Sequence, residues 1–333
     1  MQLARSSELI HPSGIKLQTP LLVPSFSSKG FRFNRDDESE VKVIFDIARE
    51  HLTQALLISA YDAYYNYIPS DNFPTEIVFI DSGGYETSEE HDLAEVYRYI
   101  GPIKEWNENL HSEYLSSWPN HIPAIIISYD HGRVRNSIEN QLESAIELFD
   151  NNKDQLNDFL IKPETKDQQY IPIDKVIKNI ELLKDFSIIG FTEKELGGSL
   201  LDRMKHIAQI RLALDEVGIQ SPLHIFGSLD PITSTLYFLS GAEIFDGLTW
   251  LKYGYNSGTA IYKHNYGALN FPLNLRDQTL DPTVWSRNIF YLENLQIQMR
   301  NFLLENEFSM FKDQSQLIKQ AYDALCGKLG RRL

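Results

Sequence analysis

The feature that most constrains the fold is a recurrence: short apolar runs, each ending at a turn and followed by a helical pattern. The runs are Leu21 to Phe26, about 55–60, about 77–81, about 123–129, Asp158 to Lys162, Ser187 to Phe191, Leu223 to Phe226 and Glu243 to Leu248. Helical patterns intervene at about 36–52, 88–99, 136–150 and 173–184, and two further helices start at the caps Ser199 and Asp230-Pro231. Apolar runs without polar alternation are strands covered on both faces, and helices between them make the strands parallel. Eight such strands predict an α/β chain folded as a (β/α)8 TIM barrel, with a doubly wound sheet as the competing arrangement.

The flanks complete a single domain over 1–333. Residues 8–20 read as an N-terminal hairpin turning at Pro12 to Gly14, 21–252 as the barrel, and 253–333 as a C-terminal extension with helices at about 286–306 and 313–328. The connection from Gly101 to Asn120, with Trp106 and Trp118, reads as an inserted loop or lid.

Several function classes are excluded by what the chain lacks. One cysteine, Cys326, leaves no disulfide framework and no zinc site built on several thiolates. No apolar run approaches the roughly 20 residues that span a bilayer. The opening MQLARSSELIHPSG lacks the apolar core of a signal peptide, so a cytoplasmic protein with no membrane partner is expected. There is no GxxxxGK[ST], no GxGxxG after a strand and no HExxH, so neither cofactor nor metal is expected. His121, His131 and His224 lie near strands and read as structural or exposed. A net charge of -15 opposes indiscriminate binding to nucleic acid, whose phosphates are met by Lys and Arg. Lys252, Lys263 and His264 still offer a local basic face, while Lys328, Arg331 and Arg332 read as a solubilising tail.

Three acids fall at or just past strand ends: Asp81 in IVFIDSGGYE, Asp130 in ISYDHG and Asp246 in EIFDGLTW. An isolated Asp there usually caps a helix or makes a turn. Asp246 is harder to dismiss, because it lies inside an apolar run where an unpaired carboxylate is costly. Together the three suggest carboxylate chemistry at a glycosidic carbon, one acid attacking and another moving protons. Gly83, Gly84, Gly190 and Gly227 read as backbone that meets a planar heterocycle, with Tyr85 and Phe226 sandwiching it. The plainer alternative is tight turns and core aromatics. Thr87 with Glu90 reads as a capping box for the helix after Asp81.

With these motifs in view, the chain resembles the queuine and archaeosine tRNA-guanine transglycosylases. The opening LLVPSF resembles their start, FIDSGGY their DSGGF/Y motif, SYDHG their FDE segment, and HIFGSLDPITSTLYFLSGAEIFDGLTW their long block ending in FD. The resemblance implies a (β/α)8 barrel that exchanges guanine in a polynucleotide for a 7-deazaguanine base through a covalent sugar intermediate. It implies Asp246 as the nucleophile at C1′, Asp81 as the general acid/base, and Asp130 as reader of the Watson-Crick edge. Tyr85 would stack on the base, Phe226 would stand where the family has Met, and Ser82, Gly83, Gly84, Gly190 and Gly227 would line the pocket. The target nucleotide must leave its stack to reach such a pocket.

The departures set the expected acceptor. The family's CxCxxC-plus-His zinc site has no counterpart across LDPTVWSRN, and Glu293 stands roughly where its histidine falls. The pocket glutamine is replaced near Lys162 to Glu164, the paired glycines of the sixth strand are Gly190-Phe191, and the Arg beyond the nucleophile is Lys252. A lost tRNA-holding subdomain and an altered pocket favour DNA over tRNA as partner. The altered pocket also suggests a different base; the expected small substrate is a 7-deazaguanine base, preQ0-like, and an accessory protein is a further candidate partner. The alternatives are the same exchange in tRNA, a non-catalytic paralogue that binds nucleic acid or a partner, and hydrolytic base removal.

Overall fold

The computed structural model describes residues 2–33, 38–69, 73–88, 103–130 and 134–330. Its strands are β1 (Glu8–Ile10), β2 (Lys16–Gln18), β3 (Leu21–Phe26), β4 (Ala55–Ser59), β5 (Ile77–Asp81), β6 (Ala124–Ile127), β7 (Leu156–Ile161), β8 (Ile188–Thr192), β9 (Leu223–Phe226), β10 (Ile244–Gly247), β11 (Tyr253–Asn256) and β12 (Thr259–Tyr262). Strands β3 to β10 close into a barrel in the order β10-β3-β4-β5-β6-β7-β8-β9. The pairings run parallel, with Ser59 opposite Asp81 and His224 between Gly190 and Ile244. The chain is a (β/α)8 barrel, as the alternation predicts. Strands β3, β4, β6, β9 and β10 are buried along their whole length, which is why their sequences show continuous apolar runs. The paired β1 and β2 form the expected N-terminal hairpin.

The chain divides into two compact units, Ile10–Ile15 with Pro24–Asp167, and Met1–Leu9 with Lys16–Val23 and Gln168–Leu333. The first carries helices α1 (Glu40–Ala48), α2 (Ala60–Tyr64), α3 (Gly84–Thr87), α4 (Glu108–Ser117) and α5 (Ile138–Asp150). Side-chain caps from Ser39, Asn107 and Ser137 fix the starts of α1, α4 and α5. Two expectations change here. The Gly101 to Asn120 connection, read as an inserted loop or lid, is helical over part of its described residues: it forms α4, whose His111, Tyr114 and Leu115 are buried at helical spacing. The helix expected at 88–99 lies largely outside the described residues, as does Glu90 of the capping box, and a helix begins earlier, at Gly84.

The second unit carries α6 (Ile173–Lys178), α7 (Leu200–Glu216), α8 (Pro231–Leu239), α9 (Thr249–Lys252), α10 (Lys263–Asn270), α11 (Asp277–Glu305) and α12 (Ser315–Leu329). Ser199 caps α7, and Asp230 caps α8 with Pro231 in its first turn. Helix α11 starts before Pro282 rather than after it. It grips the segment that follows β10: the Asn288 amide donates to the carbonyls of Trp250 (2.6 Å) and Tyr253 (2.7 Å) and accepts from the Tyr255 N–H (2.9 Å). Trp285 adds an indole N–H bond to the Leu251 carbonyl at 3.1 Å.

Candidate functional site

In the Pro24–Asp167 segment, β5 delivers Asp81 half-buried at its last position. The glycines after it are closely approached by other parts of the protein. Gly83 is left-handed (φ 84), and a Cβ there would lie 2.6 Å from Trp106 Nε1 and 2.8 Å from Tyr61 Cβ. A Cβ on Gly84 would lie 2.3 Å from the Asp130 carbonyl oxygen. These two residues let other parts of the protein approach, and at Gly84 the turn after β5 lies close against the backbone that follows β6. Ser82 is buried; its carbonyl accepts the Trp106 indole N–H (2.8 Å) and its hydroxyl the Gly84 N–H (3.3 Å).

Tyr85 is held by a residue the sequence leaves in a loop. The buried Lys29 ammonium donates to the Tyr85 carbonyl (2.7 Å), the Ser88 carbonyl (3.0 Å) and the Ser88 hydroxyl (2.7 Å), and sits 4.5 Å from the Tyr85 ring centroid. Beside it, the Glu86 carboxylate accepts from the hydroxyls of Ser27 and Ser59, and Asp62 accepts from the Ser28 N–H (2.6 Å) and hydroxyl (2.5 Å). Burial, and then the neighbouring Glu86 charge, push the Asp62 carboxyl well above the ordinary carboxylate range.

Asp130 and Lys162, read separately in the sequence, meet in space. Lys162 Nζ stands 3.3 Å from Asp130 Oδ2, and Arg135, absent from the sequence reading, stands 3.2 Å from Oδ1. Each carboxylate oxygen therefore faces a cation, and the group presents donors beside acceptors, the pattern that a purine edge can read.

Helix α4 adds a buried imidazole. His111 is fully buried with neither ring nitrogen hydrogen-bonded, tilted against Tyr129 (5.3 Å between ring centroids) and edge-on to Trp106 (6.2 Å). Burial lowers its pKa from 6.5 to about 4. An unfolded chain protonates this imidazole near its ordinary pKa while the folded one resists, so stability is lost as pH falls through that window, by about 3 kcal/mol. His111→Phe is expected to flatten this acid slope in urea unfolding measured between neutral and mildly acidic pH.

In the other unit, β10 delivers Asp246, which is 6% exposed. Its Oδ1 accepts the Gly227 N–H at 3.0 Å and lies 3.3 Å from His224 Nε2. Gly247 (φ 155) lets this strand end approach: a Cβ there would lie 3.3 Å from Gly227 C and from Leu229 Cβ. Phe226 is 7% exposed and stacks on His224, with ring centroids 3.8 Å apart and 30° between planes. Gly190 lies inside β8, in register with His224.

No family model matches the chain, and no curated protein matches it.

The expected basic face is largely tied within the protein. Lys263 Nζ pairs with Asp281 at 2.9 Å and lies 5.8 Å from the Trp285 ring centroid, and His264 lies 3.2 Å from Asp277. Lys252 is partly exposed at the end of α9. A group that sequence reasoning missed follows β8: Glu193 accepts from the Tyr237 hydroxyl (2.8 Å) and pairs with Arg203 (2.9 Å), and burial raises its pKa. Among the described residues, no cluster of three or more His, Cys, Asp or Glu is arranged to hold a metal ion, and no helix is long and apolar enough to cross a membrane.

Proposed function

We propose that the chain is a base-exchange transglycosylase that replaces guanine in DNA by a 7-deazaguanine base, and that its DSGGY and FD motifs do the work their resemblance implies. In the first half-reaction an Asp246 carboxylate oxygen bonds to C1′ as the bond from C1′ to N9 breaks. Guanine leaves with the electron pair and takes a proton from Asp81. In the second, Asp81 removes the proton from the incoming base, its nitrogen attacks C1′, and the ester bond to Asp246 breaks to restore the carboxylate.

The single observation that carries this reading is Asp246 itself. A carboxylate 6% exposed, at the C-terminal end of an otherwise apolar barrel strand, held by a backbone N–H, is costly to bury for structure alone. Strand C-termini are where barrel enzymes keep their chemistry, and Asp81 ends its own strand in the same way. The Asp130, Arg135 and Lys162 group supplies polar contacts suited to a purine edge. Lys29 beneath Tyr85 fixes the ring proposed to stack on it.

The test is incorporation of radiolabelled guanine into DNA and into tRNA by purified protein. Exchange into DNA alone is expected. Exchange only into tRNA would move the acceptor, release of free base without incorporation would make the enzyme a hydrolase, and no reaction on either polymer would defeat the reading.

A further inference from the structure

We propose that His224 is the positioning residue of Asp246: its Nε2, 3.3 Å from Oδ1, engages that oxygen as donor when the substrate reacts, fixing the carboxylate for both half-reactions. This rests on the transglycosylase reading and assigns a role to a residue that the motif resemblance leaves without one.

The placement follows from strand register. In a parallel pair, register partners point to the same face, and residues two apart along a strand share that face. His224 is partnered by Ile244, so Asp246, two residues further along β10, projects on the same side one step nearer the strand end. On its other flank His224 is partnered by Gly190, which has no side chain to occupy the space of the imidazole. The ring plane is set by stacking on Phe226, two residues along the same strand, at a centroid distance of 3.8 Å. The imidazole is fully buried, and its Nε2 meets the carboxylate at 3.3 Å.

The Gly227 N–H donates to Asp246 Oδ1, and His224 Nε2 lies 3.3 Å from the same oxygen without meeting hydrogen-bond geometry in this structure, so donation by Nε2 is the step the proposal adds. Their chemical consequence differs between half-reactions. While Asp246 forms its ester with C1′ it gives up negative charge, and when the incoming base displaces it that charge returns to the carboxylate. A fixed N–H at Oδ1 stabilises the returning charge and prevents the group from rotating out of line. His224 exchanges no proton with substrate and touches no reacting bond.

The experiment combines exchange kinetics with a spectroscopic signature. His224→Phe keeps a ring against Phe226 and removes the donor; His224→Gln places an amide N–H at nearly the reach of Nε2. The Phe variant is expected to lose roughly 10- to 100-fold in kcat, the range of one charge-assisted hydrogen bond, with little change in KM for the base. The Gln variant is expected to recover most of that loss. In protein labelled with ¹⁵N-histidine, Nε2 of His224 is expected to carry the proton at neutral pH, with its resonance shifted in Asp246→Asn. Wild-type kcat in the Phe variant overturns the proposal, as does an unprotonated Nε2 or a resonance indifferent to Asp246→Asn. If the wild-type protein exchanges no base on any polynucleotide, the transglycosylase reading falls while the NMR result still decides the pairing.

Discussion

Replacing Asp246 with Asn is expected to lower base exchange by roughly 10,000-fold or more and to abolish the covalent adduct with nucleic acid, because the amide is no nucleophile. The substitution isolates chemistry from folding. Asn keeps the volume of Asp and an oxygen that can accept the Gly227 N–H at the position where Asp246 Oδ1 now accepts it. Its thermal midpoint should therefore stay near that of the wild type. Denaturing gels of protein mixed with guanine-containing DNA or tRNA give the readout: a shifted band in wild type, and none in Asp246→Asn. Asp130→Asn is the useful contrast, since it should weaken base binding and keep the adduct. An adduct that survives in Asp246→Asn would place the nucleophile elsewhere.

Gly84→Ala is expected to destabilise the protein by about 3 kcal/mol and to remove activity with it. The added methyl would stand 2.3 Å from the Asp130 carbonyl oxygen, a backbone atom that cannot rotate away. Relief requires the turn after Asp81 to separate from the end of β6, which displaces Ser82 and Asp130 together. Gly327→Ala provides an internal control of opposite sign. It lies in α12 with open space where the methyl would go, so exchanging glycine for a better helix former should gain up to about 1 kcal/mol. Urea unfolding of both variants measures the difference, and a Gly84→Ala midpoint equal to wild type would show that the two strand ends part without cost.

The barrel was legible because strands buried on both faces leave continuous apolar runs such as Ala55–Ser59 and Ala124–Ile127, a signal needing no knowledge of partners. The errors have local causes. The helix read at about 286–306 begins at Asp277 and contains Pro282. The Gly101 to Asn120 stretch reads as a loop because of its polarity and tryptophans, although His111, Tyr114 and Leu115 already carried helical spacing. Within the site, Asp246 could be singled out because an acid interrupts an apolar strand. The same signal marks His224, an ionisable residue in Leu223–Phe226 that the sequence reads as structural or exposed. Lys29 and Trp106 are different. Their roles depend on partners far along the chain or on a cation placed over a ring, and nothing in their immediate neighbours announces that.

The grip of α11 on residues 250–255 bears on where the molecule can be cut. Asn288 and Trp285 supply four hydrogen bonds to the stretch immediately downstream of the strand that carries Asp246. A truncation at residue 252, the boundary that the sequence suggests for the barrel, would strip carbonyls at Trp250 and Leu251 of their partners and uncover Trp250, which is now fully buried. The appended helices are therefore a brace for the segment that follows β10, and any shortened or permuted version must carry Asn288 with it to keep those hydrogen bonds.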